Sequence, residues 1–398
     1  HNGVDTPQQT INLMLDECRG NATTECTIDC GERDAIGLCH GLYTTSHYNG
    51  DGIRAVITGT PAWGSPHIAE TARQHGDAAA LARAYRDYGK DLLSHLHGPF
   101  ALAVLDSESA LAAIDRIGIH SLSYALGQGV FVFSTSTGSV VRHPKITRVI
   151  DPQAIFNYIY FYDIPSPGTV YRDVEKLLPA QYVHYRKGTL EKNFYWQLHY
   201  DDNNRDSFQT RRRQLHDIIR QSVASSASGG PVASFLSGGT DSSTVTGFLS
   251  ELQDEPVDTY SIGFGAEGFD EMEFARLAAK RFAARAHEYY LKPDDVLEAI
   301  PLIASTYDEP FANESAVPTY FCARQAARDG IRVMLAGDGG DEIFGGNERY
   351  AKQLVFENYE KVPLMLRKGI IEPLVGGFPG GDAIMPARKL RSYIRQAS

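Results

Sequence analysis

The chain has 398 residues, 42% of them hydrophobic and 22% charged, and a formal net charge of −11. That length holds two or three domains with ample core, and the composition is that of a soluble globular protein. Arg211-Arg212-Arg213 is too short for a nucleic-acid face and fits a solvated helix surface, and no apolar stretch approaches the ~20 residues of a membrane span, so neither nucleic acid nor a bilayer is an expected partner.

Cys18, Cys26, Cys30 and Cys39 gather near the start, separated by seven, three and eight residues, and Cys322 stands alone. There is no C-x-x-C pair. The default reading is reduced thiols in a cytoplasmic protein, with zinc ligation by the cluster as the alternative. Residues up to about 195 read as strand-rich, with a helix at 77–88, the run Phe100 to Leu105, and a second run at 130–133. The segment Tyr200-Asp201-Asp202-Asn203-Asn204-Arg205-Asp206 is polar and marks a linker, placed at 196–206.

Beyond it the pattern changes. Leu215, Ile218, Ile219 and Val223 lie at helical spacing. Strands follow at 232–236, 257–264, 287–291 and 332–335, with helices at 271–284, 294–305 and 315–327 between them. Strands alternating with helices predict a parallel sheet covered on both faces, with ligands bound beyond the carboxyl ends of its strands.

Two glycine-rich loops fall at such ends. Ser237-Gly238-Gly239-Thr240-Asp241-Ser242-Ser243 follows the first of these strands and opens a helix. Glycines that tolerate positive φ, a helix N-terminus and several hydroxyls make an anion site. It is not a Walker A loop, because no Lys follows the glycines. Asp241 would repel phosphate unless both held Mg²⁺. The second loop, Gly337-Asp338-Gly339-Gly340-Asp341-Glu342-Ile343-Phe344-Gly345-Gly346, sets three acids among five glycines. Asp241 and Asp341 could each give the metal one carboxylate.

The S-G-G-x-D-S form resembles the pyrophosphate loop of ATP pyrophosphatases. With the second loop, and with Asp115-Arg116-Ile117-Gly118-Ile119, Ile164-Pro165-Ser166-Pro167-Gly168-Thr169-Val170-Tyr171, Lys176-Leu177-Leu178-Pro179, Tyr260-Ser261-Ile262-Gly263-Phe264 and Asp308-Glu309-Pro310-Phe311, the chain resembles the class B asparagine synthetase family. That family includes β-lactam synthetases and lasso-peptide cyclases.

The resemblance implies an α/β protein of two parts. One is an N-terminal glutaminase-like α/β/β/α sandwich over 1–195, degenerate as an amidotransferase. The other, over 207–398, is a parallel-sheet synthetase domain of the ATP pyrophosphatase type. It implies ATP and Mg²⁺ as cofactors, small-molecule or peptide carboxylates and amines as substrates, and a homodimer as a common assembly. Ser237, Gly238, Gly239, Asp241 and Ser242 would bind pyrophosphate, Asp241 and Asp341 would bind Mg²⁺, and Leu236, Ile262 and Gly337 would line the adenine and ribose pocket. Asp338 falls where asparagine synthetases carry a Glu that helps deprotonate the amine.

The pattern also departs from the family. A working glutaminase starts with Cys, whereas this chain starts His1-Asn2-Gly3. Arg19 aligns with the family's Arg-Gly-Pro-Asp stretch, and Asp77 with the acid that binds the glutamine amino group. The family's oxyanion-hole Asn-Gly is Thr58-Gly59 here. Losing one such donor costs about 10²–10³ in rate, so glutaminase activity is expected to be weak or absent. After Tyr350 no counterpart of the family's catalytic Lys is evident, and Arg388-Lys389-Leu390-Arg391 reads as a basic helix surface. Either the chain is cut there or it is a divergent member.

The expected function is therefore an AMP-forming, ATP-dependent amide synthetase, with aspartate to asparagine as the default. Alternatives are a specialised amide ligase or cyclase that does not use glutamine, a tRNA-modifying pyrophosphatase, which the −11 charge disfavours, or a non-catalytic ATP-binding protein.

Overall fold

The structure is a computed structural model. It describes residues 6–18, 25–32, 34–40, 44–201, 203–227, 229–265, 272–376 and 394. Arg19, the His1-Asn2-Gly3 start and the basic stretch 388–391 lie outside these residues. The chain forms two compact units. One comprises His1–Arg205 with Leu297–Ala316, the other Asp206–Val296 with Val317–Ser398.

In the first unit, helix α1 (Pro7–Cys18) precedes the hairpin β1 (Cys26–Cys30) and β2 (Ala35–Cys39). Strands β3 (Thr45–Gly50) and β4 (Ile53–Gly59) follow, then helices α2 (Pro66–His75) and α3 (Asp77–Tyr88). Besides a short pair, Ala62–Trp63 with Leu96–His97, further strands are β5 (Phe100–Leu105), β6 (Ser109–Ile114), β7 (Ser123–Gly127), β8 (Val130–Ser134), β9 (Glu175–Lys176), β10 (Gln181–Arg186) and β11 (Thr189–Phe194). They build a six-stranded antiparallel sheet, in the order β11-β10-β6-β5-β4-β3, and a three-stranded sheet, β8-β7-β9.

The pleat of β5 explains the layering. Phe100, Leu102 and Val104 pack with Ile68, Ala78 and Leu81 of α2 and α3. Ala101, Ala103 and Leu105 point the other way, into a core shared with Tyr124, Phe131 and Phe133 of the small sheet. A strand buried on both faces reads as a continuous apolar run rather than an alternating one. The outer face of the small sheet, Ala125 and Val132, meets Ile11, Met14 and Leu15 of α1. The layers are therefore helix, sheet, sheet, helix.

The cysteine expectation needs correction. Cys26 and Cys39 form a disulfide. They are direct partners in the β1–β2 register, next to a pair in which the His40 N–H donates to the Glu25 carbonyl. That makes Cys26 and Cys39 a non-hydrogen-bonded pair with Cα atoms 4.0 Å apart, the closer of the two antiparallel spacings and within bonding reach. The bond removes two of the four thiols on which a zinc cluster would draw, and it is not the state that a reducing compartment favours. Among the described residues no helix is long and apolar enough to cross a membrane.

In the second unit, β12 (Val232–Phe235), β13 (Asp258–Phe264), β14 (Arg285–Leu291) and β15 (Val333–Leu335) form a parallel sheet in the order β14-β13-β12-β15. Helices α4 (Phe208–Ser226), α5 (Thr240–Leu252), α6 (Met272–Arg281) and α7 (Ala316–Arg328) cover it. Val232 packs with Val223 of α4 and with Phe248 and Leu249 of α5, whereas Ala233 packs with Cys322 and Ala326 of α7. Successive strand residues thus feed cores on opposite faces. The strand order reverses at β12, whose two neighbours are β13 and β15. In open α/β sheets that reversal leaves a crevice at the carboxyl ends of the two strands.

One buried charge fixes the turn after β6. Asp115 is 1% exposed, and its carboxylate accepts N–H bonds from Phe100, Ile117, Gly118, Ile119 and His120, at 2.8 to 3.4 Å. Five amides compensate its desolvation. Asp115→Asn puts an NH₂ among these donors and leaves some of them without an acceptor. It is expected to lower the stability of the first unit by about 2–3 kcal/mol, read as a shifted urea midpoint at unchanged slope. An unchanged midpoint would mean that the amide ring contributes nothing.

Candidate functional site

The first glycine loop begins where β12 ends. Leu236 continues the strand, its N–H donating to the Tyr260 carbonyl at 3.0 Å and its own carbonyl accepting from the Ser261 hydroxyl at 2.6 Å. The chain then turns through Gly238 at φ +87°. A Cβ there would collide with the Phe274–Ala275 peptide, so only glycine lets the loop lie against the first turn of α6. The Ser237 and Ser242 hydroxyls are 3.0 Å apart, and the Ser237 and Gly239 N–H groups donate to the Ser242 and Ser237 hydroxyls at 3.3 Å. Below the loop, buried Ser234 and Thr246 share a hydrogen bond of 2.9 Å that joins β12 to α5.

α5 starts at Thr240 with Gly239 in the N-cap position, and no side chain caps it. Its first-turn amides and the positive end of its dipole remain available to an anion. Asp241 lies in that first turn.

The second loop leaves β15 and lies directly on Asp241. A Cβ on Gly337 would stand 2.8 Å from the Asp241 backbone and from the Ser242 nitrogen, and one on Gly340 would collide with the Asp241 carboxylate. Two glycines thus allow a contact that any side chain would block. Gly339 (φ +87°) and Gly345 (φ +69°) bracket the short helix Gly340–Phe344, which carries Asp341 in its first turn. The Asp341 side chain folds over Gly346, where a Cβ would strike its carboxylate, and Asp338 is exposed.

The structure therefore gathers Ser237, Gly238, Gly239, Asp241, Ser242 and Gly337, with Asp338 and Asp341 on the same loop as Gly337. It does not gather the side chains of Leu236 and Ile262. Leu236 is 2% exposed and packs under α6 with Met272, Ala275 and Ala279, whereas Ile262 packs with Ala233, Tyr260 and Cys322. Sequence reading missed two participants: the Phe274–Ala275 peptide behind Gly238, and Gly340 against Asp241. Only the glycine at each position hinted at a close approach.

Among the described residues no three His, Cys, Asp or Glu side chains cluster as a complete metal cage. One or two carboxylates completed by phosphate oxygens and waters are the usual donor set for Mg²⁺, and the Asp241–Asp341 loops fit that description. The uncapped α5 amides and the glycine cradle fit a polyphosphate.

The first unit holds the positions expected of a glutaminase pocket. Thr58 sits in β4, paired with Thr45 and Ala101. The Gly59 N–H donates to the Thr44 carbonyl at 2.9 Å, so that amide is already engaged. Gly59 has φ +110°, and a Cβ there would strike the Pro99 carbonyl and come within 2.8 Å of His120 Nε2. Burial pushes the His120 pKa below its ordinary value, against the opposing pull of the Asp115 charge. Asp77 accepts the Trp63 indole N–H at 2.9 Å.

Residues 214–396 match the family model for asparagine synthase, and residues 66–196 match the one for a glutamine amidotransferase domain. The chain is 31% identical over 303 residues to a putative glutamine-hydrolysing asparagine synthetase 2 of Methanocaldococcus jannaschii, covering 73% of this chain and 58% of that protein. It is 29% identical over 304 residues to asparagine synthetase 1 of Bacillus subtilis, covering 74% of this chain and 47% of that protein. It is also 26% identical over 309 residues to the amidase chyE of Penicillium rubens, covering 71% and 44%. The chain thus spans about half the length of the curated relatives it matches. With both domain types in sequence and both glycine loops in place, the chain belongs to the asparagine synthetase family.

Proposed function

We propose that this protein binds ATP on the two glycine loops and uses it to turn a carboxylic acid into an amide. The observation that carries the reading is the contact of Gly337 and Gly340 with Asp241, at the reversal point of a parallel sheet and beside an uncapped helix N-terminus. The named activities of the relatives point the same way.

In this reading Ser237, Gly238, Gly239 and Ser242 hold the β and γ phosphates. Asp241 and Asp341 would hold Mg²⁺, which neutralises charge on the pyrophosphate when bound. Gly337, rather than the core-facing side chains of Leu236 and Ile262, borders the adenosine. A carboxylate oxygen of the acid attacks the α phosphorus, the bond from that phosphorus to the bridging oxygen breaks, and pyrophosphate leaves. The amine nitrogen then attacks the acyl carbon, AMP departs, and the exposed Asp338 takes the amine proton. The amides at the α5 N-terminus stabilise the charge on the leaving group without reorganising. Aspartate is the default acid and asparagine the default product.

A second reading concerns the source of the amine. Gly59 has its N–H committed to Thr44, Thr58 lacks the amide of an Asn, and Asp77 is engaged by Trp63. These features favour an amine or ammonia taken directly rather than released from glutamine. The relative named as an amidase accommodates such a specialisation.

Two outcomes are expected. Asp241→Asn should lower ATP- and acid-dependent pyrophosphate release by about 100-fold or more while the circular dichroism and the urea midpoint stay at wild-type values. Undiminished release would remove Asp241 from the site. With ATP, Mg²⁺ and aspartate, ammonia should support asparagine, AMP and pyrophosphate formation, and glutamine should not. Glutamate release from glutamine at the rate of synthesis would restore a working glutaminase. If neither nitrogen source gives asparagine, the acid is a different one, to be found by pyrophosphate exchange into ATP.

A further inference from the structure

The Asp115-Arg116-Ile117-Gly118 turn holds two opposite charges that do not pair with each other. Asp115 faces inward and is consumed by five amides. Arg116 has no hydrogen bond or ion pair with any described residue, and its Nε is closed off from solvent without an acceptor. Its guanidinium lies 5.5 Å from the centre of the Trp196 ring. Stacking on a ring satisfies the face of a guanidinium and leaves its N–H groups, which lie in the plane, still in need of acceptors. A half-buried cation without a counter-ion is costly, and it is the feature of this region that packing does not explain.

Beside it is a hollow of about 380 Å³, lined by Arg116, Ile117, Pro179, Phe194, Trp196 and Leu198, with Gln197 as the other polar group. Its volume lies in the range of small-ligand sites, about 300–1,000 Å³. The walls are apolar and partly aromatic, with one cation among them. Gly118, at φ +74°, lets the turn close on Pro179, which a Cβ would meet at 3.0 Å, and this shapes one wall. The positive charge is felt nearby: the His97 pKa is lowered chiefly by burial and further by Arg116.

We propose that this hollow binds a small molecule in which a carboxylate is carried on a flat apolar body. The carboxylate pairs with the Arg116 guanidinium, whose fork matches its two oxygens, and the flat body lies against Trp196 and Phe194. The residues of this site all belong to the first unit, and the site does not depend on the amide-forming reaction.

The test uses phenylacetate as the probe, phenylacetamide as its neutral counterpart and acetate as the anion without a ring. Each is titrated into the whole chain by calorimetry, with tryptophan fluorescence followed in parallel because Trp196 forms a wall. Phenylacetate should bind about tenfold or more tightly than either of the others, since removing the charge or the ring each removes one half of the recognition. Arg116→Gln should remove the preference for the acid over the amide. Leu198→Asp, at a position 60% exposed, leaves Arg116 in place but sets in the wall a carboxylate that repels the ligand's own and competes for Arg116; it should weaken phenylacetate about tenfold without changing the urea midpoint. Equal binding of acid and amide, unchanged binding in Leu198→Asp, or no binding of phenylacetate to the wild-type chain would overturn the proposal.

Discussion

The close approach of the acidic loop to Asp241 is the contact on which the proposed nucleotide site of the second unit rests. It needs glycine at 337 and at 340, because a Cβ at either place would fall within the van der Waals radius of the Asp241 main chain or carboxylate. It also needs Gly238, because Asp241 can meet the acidic loop only if the turn before it lies flat against Phe274 and Ala275. The parallel sheet makes the meeting possible. β12 and β15 are neighbours, so the segments leaving their carboxyl ends emerge side by side. Among the described residues no lysine or arginine pairs with these carboxylates, which lie in front of a helix whose N-terminus is positive. In the proposed function this arrangement is completed by a cation and an anion together, as a metal-bound polyphosphate would supply.

The first unit keeps a helix–sheet–sheet–helix layering, and the positions expected of its pocket make contacts within the fold. Gly59 remains indispensable, yet for packing: its positive φ and its closeness to Pro99 and His120 exclude any other residue, and its N–H closes a bond to Thr44. Asp77 begins α3 and ties the helix to Trp63, and Thr58 is a strand residue paired on both sides. Each of these groups is occupied within the protein. An oxyanion hole requires the reverse, a donor held open for charge that appears only in the transition state.

How much of this was legible in the sequence follows from which interactions are local. The helix at Asp77–Tyr88 and the run Phe100–Leu105 are observed as read, because periodicity and burial on both faces leave direct marks on the residue pattern. The two glycine loops were legible because glycine, acid and hydroxyl have few other reasons to alternate so densely. The Cys26–Cys39 bond was not legible: spacing between cysteines says nothing of strand register, and the pairing depends on a hairpin turn that fixes which residues face each other. α1 and this hairpin also fall outside both matched family ranges, so resemblance was silent there as well. Leu236 and Ile262 show a subtler limit. They lie on adjacent strands at the ends expected to face a nucleotide, but their side chains enter cores on opposite sides of the sheet, and only the three-dimensional register reveals that.

The two units hold their charges in contrasting ways. In the second, the acids of the glycine loops stand without an ion-pair partner among the described residues. In the first, Asp115 is sealed among five amides and asks for nothing further, while its neighbour Arg116 is left with an aromatic face and no acceptor. A motif in which acid and base are adjacent in sequence would ordinarily be read as an internal ion pair. Here the backbone takes the acid, since a tight turn presents a fan of N–H groups that a guanidinium cannot match in number or direction. Once the acid is taken, the base has no acceptor among the described residues, and the same turn that stabilises the sandwich leaves a cation facing an apolar hollow. Structure and recognition at this turn therefore arise from one geometric fact, the direction in which the Asp115 carboxylate points.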